Sequence, residues 1–286
     1  MHYHLFFNLL KAHFPKDYFK YIVVITEKNS PLFMQAQANN INCLCIPKNI
    51  GGRYSVFSSA GLFPLVIAGV DVQDLLQGAQ SIWSQKDIGY SSAVETAAIR
   101  FNAVIKGYSI HDLFLFSNDL ECVGKWYRQL VAESLGKEKI KNKKRCSIGI
   151  TPIVSIGTTD LHSMAQLYFA GPQDKFSALI TLEHTVSDII IPALEPKEIV
   201  SGISQKSTHT IMQAIEQAVV MAYKKKNMPY IQIILREKSS FCIGALLQYM
   251  MIEVVFLGHL LEVNPFNQPE VELYKRNIRK TLHDKL

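Results

Sequence analysis

The sequence predicts an α/β protein built from three-layer αβα parallel sheets. Short strand-like runs, of which 21–25 is fully apolar and β-branched, alternate with longer segments of helical periodicity. A run that is apolar throughout is typical of a strand buried on both faces of a parallel sheet, whereas a half-exposed strand alternates polar and apolar residues. Because the connections are short and strands alternate with helices, parallel crossovers are favoured.

Residues 1–70 predict a small first unit. A helix at 5–13 is followed by a strand at 21–25, a helix that opens at Ser30-Pro31, and a strand at 41–46. Proline is favoured at the first helical position because its missing N–H would have no partner there. A parallel sheet that begins after the tail of a helix lacks its first strand. We therefore expect this unit to be truncated, the C-terminal portion of a domain.

The segment Gly51-Gly52-Arg53 follows the second strand and precedes a mostly apolar run that ends at Val70. Two adjacent glycines let a backbone bend and approach a ligand closely. The guanidinium group is always charged and suits an oxyanion or a phosphate. The segment predicts a tight turn that delivers one cation to a pocket and then enters a buried helix. An ordinary turn with a surface arginine is the alternative.

Residues 71–286 predict a second α/β unit with a C-terminal helix. The helical pattern recurs at 71–83, 91–106, 118–134, 159–169, 208–223 and 240–263, and a last amphipathic helix spans about 269–283. Strand-like runs lie at 110–116, 148–156, 176–182 and 230–235. Thr158, Thr159 and Asp160 are good capping residues for the helix that follows them.

Several features restrict the class of protein. The apolar run 241–263 contains Glu253, which is costly inside a membrane, so we expect a buried helix and no membrane partner. The N-terminus has neither a basic start nor a small-residue cleavage site, so we do not expect a signal peptide there. The five cysteines are odd in number and show no metal-ligand spacing. We therefore expect reduced thiols, no metal and a cytoplasmic location.

The charge pattern argues against a nucleic-acid partner. The net charge is +6, but basic and acidic residues are mostly interleaved. The densest basic run, 137–145, contains no aromatic residue and is expected to be a solvated loop. A modest basic excess also suits a small anionic substrate.

Three further side chains could carry chemistry. Glu133 ends an amphipathic helix before a glycine, where burial could raise its pKa and make it a general base. His162 lies in the first turn of a helix that follows a strand, where α/β proteins place ligand-facing residues. Lys275 lies on the last helix. The alternatives are a solvated glutamate, a core or capping histidine and a surface lysine.

Four separated segments occur in one order and together resemble the glucose-6-phosphate isomerase family, bacterial type. They are Asn-Ile-Gly-Gly-Arg-Tyr-Ser-Val at 49–56, Glu-Ser-x-Gly-Lys at 133–137, Thr-Asp-Leu-His-Ser at 159–163, and Asn-Pro-Phe-Asn-Gln-Pro at 264–269 with Val-Glu-x-x-Lys at 271–275. The resemblance covers essentially the whole chain, and four motifs in order are far more specific than one.

The resemblance implies an activity and a role for each candidate. The family interconverts glucose 6-phosphate and fructose 6-phosphate through a cis-enediol intermediate, without a cofactor. Glu133 would be the base that moves a proton between C1 and C2, and Arg53 would stabilise the negative charge of the enediolate. His162 and Lys275 would move protons during ring opening. The substrate-binding positions would be Gly52, Arg53, Gln129 and Lys275.

The resemblance also implies domains and partners. Residues 1–70 would be the C-terminal portion of a first domain of the sugar-isomerase (SIS) type, and residues 71–286 the second. The family's histidine enters the active site from the other subunit, so a homodimer that binds a hexose 6-phosphate is implied.

Three departures from the family pattern qualify this interpretation. Glu270 stands where glycine is usual, and Lys48 where an acidic residue is common. We find no Ser/Thr-rich loop for the substrate phosphate, which should precede the helix at 5–13. The alternative is therefore a non-catalytic remnant, or one half of a split enzyme, that lacks this loop.

Overall fold

The computed structural model describes residues 2–84, 89–141, 144–185, 188–193 and 202–283. The chain divides into two compact units, Met1–Val72 and Gln73–Leu286. The first unit contains helices α1 (His2–His13), α2 (Pro31–Ala38) and α3 (Ser59–Ile67), and strands β1 (Val23–Glu27) and β2 (Asn42–Ile46).

The first unit is a small β-α-β arrangement in which β1 and β2 pair in parallel. Ser30 caps α2, because its Oγ accepts a hydrogen bond from the Phe33 N–H at 3.1 Å, and Pro31 takes the first helical position as predicted. Val24, Ala36 and Ile41 form the core of this unit.

Two expectations about burial in this unit are wrong. Val24 is the only buried residue of β1, so that strand is not buried on both faces. Helix α3 forms within the run that was expected to be a buried helix, but none of its residues is buried, and Ile67 is 73% exposed. A continuous apolar run does not show by itself how many of its faces are covered.

The second unit contains the larger set of elements. Its helices are α4 (Val72–Ser84), α5 (Gly89–Ile105), α6 (Glu121–Leu135), α7 (Thr159–Ser163), α8 (Ala165–Ala170), α9 (Thr208–Lys225), α10 (Ser240–Leu260) and α11 (Val271–His283). Its strands are β3 (Ile110–Leu115), β4 (Lys137–Lys141), β5 (Lys144–Ile148), β6 (Thr151–Ile156), β7 (Lys175–Leu182) and β8 (Tyr230–Leu235).

Four strands form a parallel sheet in the order β6-β3-β7-β8. Helices α8 and α9 cover one face, where Tyr168 and Tyr223 pack with Phe114 and Leu179. Helix α6 covers the other face and approaches so closely that a Cβ on Gly124 would lie 2.7 Å from the Val154 side chain. Helix α10 packs against α5 and α6 on that side. The predicted α/β class with parallel sheets is therefore confirmed.

The basic run 137–145, which was expected to be a solvated loop, forms two paired strands in the described residues. Strands β4 and β5 pair antiparallel, and Lys137 lies opposite Ile148. Residues 142 and 143 lie outside the described residues. The lysine-rich composition is unusual for strands, but the two segments satisfy each other's backbone hydrogen bonds. The predicted strand at 148–156 is consequently divided, because Ile148 ends β5 and Thr151 begins β6.

The predicted helix at 159–169 is also divided, into α7 and α8. Thr158 takes the N-cap position of α7, but its side chain makes no capping hydrogen bond. Asp160 instead accepts hydrogen bonds from the Ile156 N–H and from the Ser163 hydroxyl, both at 2.7 Å. One of the predicted capping residues therefore stabilises the turn between β6 and α7, but this residue is Asp160 and not Thr158 at the N-cap position.

Helix α10 is long and apolar enough to cross a membrane, but it is a core helix in this structure. Ten of its residues are buried, and one of them is Glu253. The Glu253 carboxylate forms a buried ion pair with Arg100 at 2.5 Å and accepts hydrogen bonds from the Tyr127 hydroxyl. The carboxylate that argued against a membrane span thus links α10 to α5 and α6.

Candidate active site

A pocket of about 380 Å³ lies where α6 ends. Its wall comprises Glu133 from the last turn of α6, the start of β4, and the segment 262–271 that leads into α11. Two of the segments singled out in the sequence, 133–137 and 264–269, therefore meet here although they are far apart in the chain. The volume is within the range of small-molecule sites.

Glu133 is half-buried and is oriented by its own helix. The Gln129 side-chain amide, one turn earlier on α6, donates a hydrogen bond to Glu133 Oε1 at 3.1 Å. Residues four apart in a helix lie on the same face, so the predicted base and the predicted substrate contact are neighbours. A carboxylate offers about four lone-pair sites, so it can accept this bond and still act as a base.

Lys137 joins the two walls of the pocket. Its Nζ donates hydrogen bonds to the Glu133 carbonyl oxygen at 2.6 Å and to the Asn267 carbonyl oxygen at 2.5 Å. The sequence interpretation did not assign this role. A lysine just after a helix end commonly binds the last carbonyls of that helix, and this signal was available in the segment 133–137. The second acceptor, in contrast, could not be anticipated.

The pocket also contains residues that the sequence interpretation did not select. Gln268 lines it from the 264–269 segment, next to Asn267. The Asn264 side-chain oxygen accepts from the Phe266 N–H at 2.9 Å, which shapes this segment into a turn. The amide side chain of Gln268 can donate and accept hydrogen bonds, so it suits sugar hydroxyls.

Four carboxylates surround the pocket. They belong to Glu133, Glu138, Glu262 and Glu270. Glu270, the residue that departs from the family pattern, therefore lies where its charge acts on any bound ligand. An anionic ligand would experience repulsion here that a glycine at this position would not produce.

Lys275 lies on α11, one turn beyond Val271, the last residue that lines the pocket. Its Nζ forms an ion pair with Glu272 Oε1 at 2.9 Å, and this contact raises the pKa of the lysine and lowers the pKa of the glutamate. Lys275 is not among the described residues that line the pocket. It lies on α11, the helix that begins at the pocket wall.

His162 lies at the other end of the sheet from Glu133. It is exposed on α7, which follows the carboxyl end of β6. Helix α6 starts beyond the carboxyl end of β3 and runs back toward the amino ends of the strands, where it ends two residues after Glu133. The two residues of one chain are therefore separated along the strand direction by about the length of β6, which has six residues and spans about 20 Å.

Arg53 belongs to the first unit. It lies in a 3₁₀ turn, Gly52–Tyr54, and is only 1% exposed, so the alternative of a surface arginine is wrong. Its guanidinium lies 5.3 Å from the centre of the Tyr54 ring. Gly51 has φ −68° and ψ 155°, a conformation open to any residue. Gly52 is exposed, with open space around the position of a Cβ, so the turn itself does not require these glycines.

The parallel sheet with helices on both faces defines an α/β protein of the three-layer αβα class. Among known protein families, the phosphoglucose isomerase family matches residues 16–286 of this chain. The chain belongs to that family.

Individual relatives agree with this assignment. Glucose-6-phosphate isomerase from Thermus thermophilus is 33% identical over 97% of this chain and 66% of its own length. The enzyme of the same name from Mycoplasmopsis pulmonis is 33% identical over 98% of this chain and 65% of its own length. The chain therefore spans about two thirds of the length of these relatives.

Solved structures show the same fold. The crystal structure of a hypothetical protein from Thermus thermophilus superimposes with a TM-score of 0.90 at 33% identity, over 97% of this chain and 66% of the other. The structure of a glucose-6-phosphate isomerase from Chlamydia trachomatis is 20% identical, with a TM-score of 0.78 over 98% of this chain and 56% of the other. The second likeness bears on the fold alone.

Proposed function

We propose that this protein acts in the aldose–ketose isomerisation of glucose 6-phosphate to fructose 6-phosphate, in glycolysis and gluconeogenesis. The observation that carries the proposal is the meeting of Glu133 with the 264–271 segment in one pocket. Both belong to segments that resemble the isomerase family, and relatives that match nearly the whole chain bear the name glucose-6-phosphate isomerase. In this proposal the two units correspond to two SIS-type domains.

Glu133 is the proposed base. Isomerisation through a cis-enediol needs one group that removes a proton from one carbon and returns it to the neighbouring carbon on the same face. A single carboxylate held by Gln129 at 3.1 Å can reach both carbons without moving its helix. Arg53 is proposed to stabilise the enediolate oxygen, because a fixed cation lowers the energy of the charge that develops there.

Ring opening is assigned to His162 and Lys275. The cyclic sugar must gain a proton at the ring oxygen and lose one at the anomeric hydroxyl before the enediol can form. We infer that His162 comes from a second copy of the chain, since it lies about 20 Å from Glu133 of its own chain along the strand direction. A homodimer is therefore part of the proposal.

We place the protein in the cytoplasm. Cys43, Cys45, Cys122 and Cys242 are free thiols among the residues that the structure describes. Reduced cysteines are the rule in that compartment.

A coupled assay tests the proposed activity. The purified chain should convert fructose 6-phosphate to glucose 6-phosphate, detected with a dehydrogenase that oxidises the product. Glu133→Gln should lower kcat by about 10²–10⁴-fold, the contribution typical of a general base. Glu121→Gln provides a matched control, because Glu121 starts the same helix and forms an exposed pair with Lys125 at 2.8 Å. Unchanged turnover in Glu133→Gln would show that another group is the base, and no turnover in the unmodified chain would favour the non-catalytic alternative.

A further inference from the structure

A second pocket lies at the carboxyl edge of the parallel sheet. It has a volume of about 350 Å³ and is lined by residues that follow β3 and β6, by the end of β7, and by the first turns of α9. Among the described residues, it shares no lining residue with the pocket of Glu133. It is therefore a separate cavity within the second unit.

The position of this carboxyl-edge pocket is typical of ligand sites. In the strand order β6-β3-β7-β8, the connection that leaves β3 leads to β6, on one side of this pair of strands. The connection that leaves β7 leads to β8, on the opposite side. Connections that diverge in this way leave a crevice at the carboxyl ends of the two strands, and ligands of open α/β sheets bind there. Ser117, just after β3, and Leu182, at the end of β7, both line the pocket.

Glu216 lines this pocket and also a neighbouring pocket beside β7 and α9, and it lacks a partner among the described residues. This residue of α9 is half-buried, and no described residue forms a hydrogen bond or an ion pair with it. Burial alone raises the pKa of its carboxyl group to about 7. A half-buried carboxyl group is unfavourable unless a hydrogen-bond donor reaches it, so a ligand that supplies donors would stabilise it.

The cationic and imidazole groups of the pocket are already engaged. Lys238 forms an ion pair with Asp119. The ring of His209 donates from Nε2 to the Glu183 carbonyl oxygen at 3.1 Å, which leaves Nδ1 as an acceptor when the ring is neutral. The pocket is therefore rich in acceptors and hydroxyl groups and lacks a spare cation among the described residues.

The start of α9 is also occupied. Asp188 Oδ1 accepts hydrogen bonds from the His209 N–H at 2.9 Å and the Thr208 hydroxyl at 3.1 Å. Ser207 Oγ accepts from the Thr210 N–H at 3.0 Å. A phosphate would need these N–H groups, which bind anions at other helix starts. The Asp188 carboxylate would repel it instead.

We propose that the carboxyl-edge pocket binds an unphosphorylated polyhydroxy compound, a sugar or a sugar alcohol. Its hydroxyl groups donate to Glu216 and exchange hydrogen bonds with Ser117 and Thr159, which line the same cavity. Hydroxyls of the ligand match hydroxyls and carboxylates of the protein, because each can donate or accept as its neighbour requires. Within one chain, this site is separate from the pocket that contains Glu133.

Titration with sorbitol, followed by saturation-transfer NMR, tests this proposal. At pH 8 we expect saturable binding that Glu216→Gln weakens about fivefold, because the amide oxygen still accepts a hydrogen bond but lacks the charge that strengthens it. Thr159→Val should weaken it as well, by removing a hydroxyl. Glu133→Gln and the surface variant Glu121→Gln should bind sorbitol as the unmodified chain does, and inorganic phosphate should not compete.

Four results would overturn the proposal. The first two are the absence of saturable sorbitol binding and equal affinity in Glu216→Gln. The others are competition by inorganic phosphate and loss of binding in Glu133→Gln, which would place sorbitol in the other pocket. Because the experiment measures binding and not turnover, its outcome is independent of whether the chain is an isomerase.

Discussion

At the scale of single residues, charge decides how well the pocket of Glu133 can hold an anionic sugar. Glu270 lines this pocket together with three other glutamates. We expect Glu270→Gly to lower the KM for fructose 6-phosphate about three- to tenfold, because a repulsion of about 1 kcal/mol is removed. The kcat should change little, since the repulsion acts on substrate and transition state alike.

Glu270→Gln separates the charge of Glu270 from its bulk. It keeps the size of the side chain, so a similar fall in KM in steady-state assays would assign the effect to charge. A KM that falls only in the glycine variant would assign it to space instead.

The buried side chain of Asp112 should make the stability of the protein depend on pH. It is buried in β3, and its Oδ1 accepts from the Ser155 hydroxyl at 2.9 Å. Its Oδ2 has no hydrogen-bond partner among the described residues. Burial first, and the charge of Asp160 as a smaller cause, raise the pKa of Asp112 to about 7. The folded protein therefore keeps the proton up to a higher pH than the unfolded chain does.

Deprotonation of Asp112 should consequently lower the free energy of unfolding by an amount on the order of 2–4 kcal/mol between about pH 4 and pH 7. Above that range, the contribution of Asp112 should change little. Asp112→Asn should be more stable than the unmodified chain at pH 8 and should show a smaller fall in urea titrations. Glu216 contributes in the same direction, so some slope remains. Asp119→Asn, at an exposed aspartate, is the control; a stability loss in Asp112→Asn at pH 8 would contradict this account.

At the scale of elements, Lys137 holds the pocket together. Its two hydrogen bonds, to the Glu133 and Asn267 carbonyl oxygens, join the end of α6 to the 264–269 segment. Lys137→Met keeps most of the aliphatic stem but removes the charge. We expect a loss of about 1–3 kcal/mol in stability, and faster amide exchange in the 264–269 segment.

Lys125→Met is the matched control for this element. Lys125 lies on the exposed side of α6 and pairs with Glu121, and exposed pairs contribute little. Its substitution should therefore leave the stability of the protein almost unchanged. Hydrogen exchange measured by mass spectrometry would contradict the role of Lys137 if 264–269 exchanged equally in both variants.

The elements also show what the sequence could and could not predict. The strand at 230–235 and the Ser30-Pro31 helix start were correct, because β-branched runs and N-terminal caps are local signals. The hairpin β4–β5 was missed because its stability comes from pairing between two charged segments. Burial of α3 was overestimated, because the number of covered faces depends on tertiary contacts that a run of apolar residues does not encode.

The site shows the same division between local and tertiary information. Gln129 and Glu133 could be predicted as neighbours, because they are four residues apart on one helix. The approach of Asn267 to Lys137 could not, because it depends on where α10 ends and the chain returns. The position of His162 in the first turn after a strand could be inferred from the sequence, but its distance from Glu133 follows only from the topology of the sheet.

At the scale of the whole molecule, the proposed mechanism requires two chains. Glu133 and His162 of one chain lie at opposite edges of the sheet, about 20 Å apart along the strand direction. If each active site takes His162 from the second chain, Glu133→Gln and His162→Ala should complement each other. After the two variants are mixed and reassembled, about a quarter of the unmodified activity should return, because half of the dimers are mixed and each holds one intact site.

The same experiment distinguishes a site within one chain. In that case every chain in the mixture carries a defect, so mixing would restore nothing. Analytical ultracentrifugation should show a dimer for each variant before mixing. A monomeric, fully active chain would contradict the two-chain account.

Isotope exchange tests most directly whether Glu133 moves a proton between C1 and C2. Fructose 6-phosphate is converted in D₂O, and the product is examined by NMR for deuterium at C2. A proton carried by Glu133 can exchange with solvent, so deuterium should accumulate at C2 over repeated forward and reverse turnovers of the unmodified chain, and Glu133→Gln should incorporate almost none in the same time. Product that stays free of deuterium after many such turnovers, or the same incorporation by Glu133→Gln, would contradict a proton transfer by Glu133.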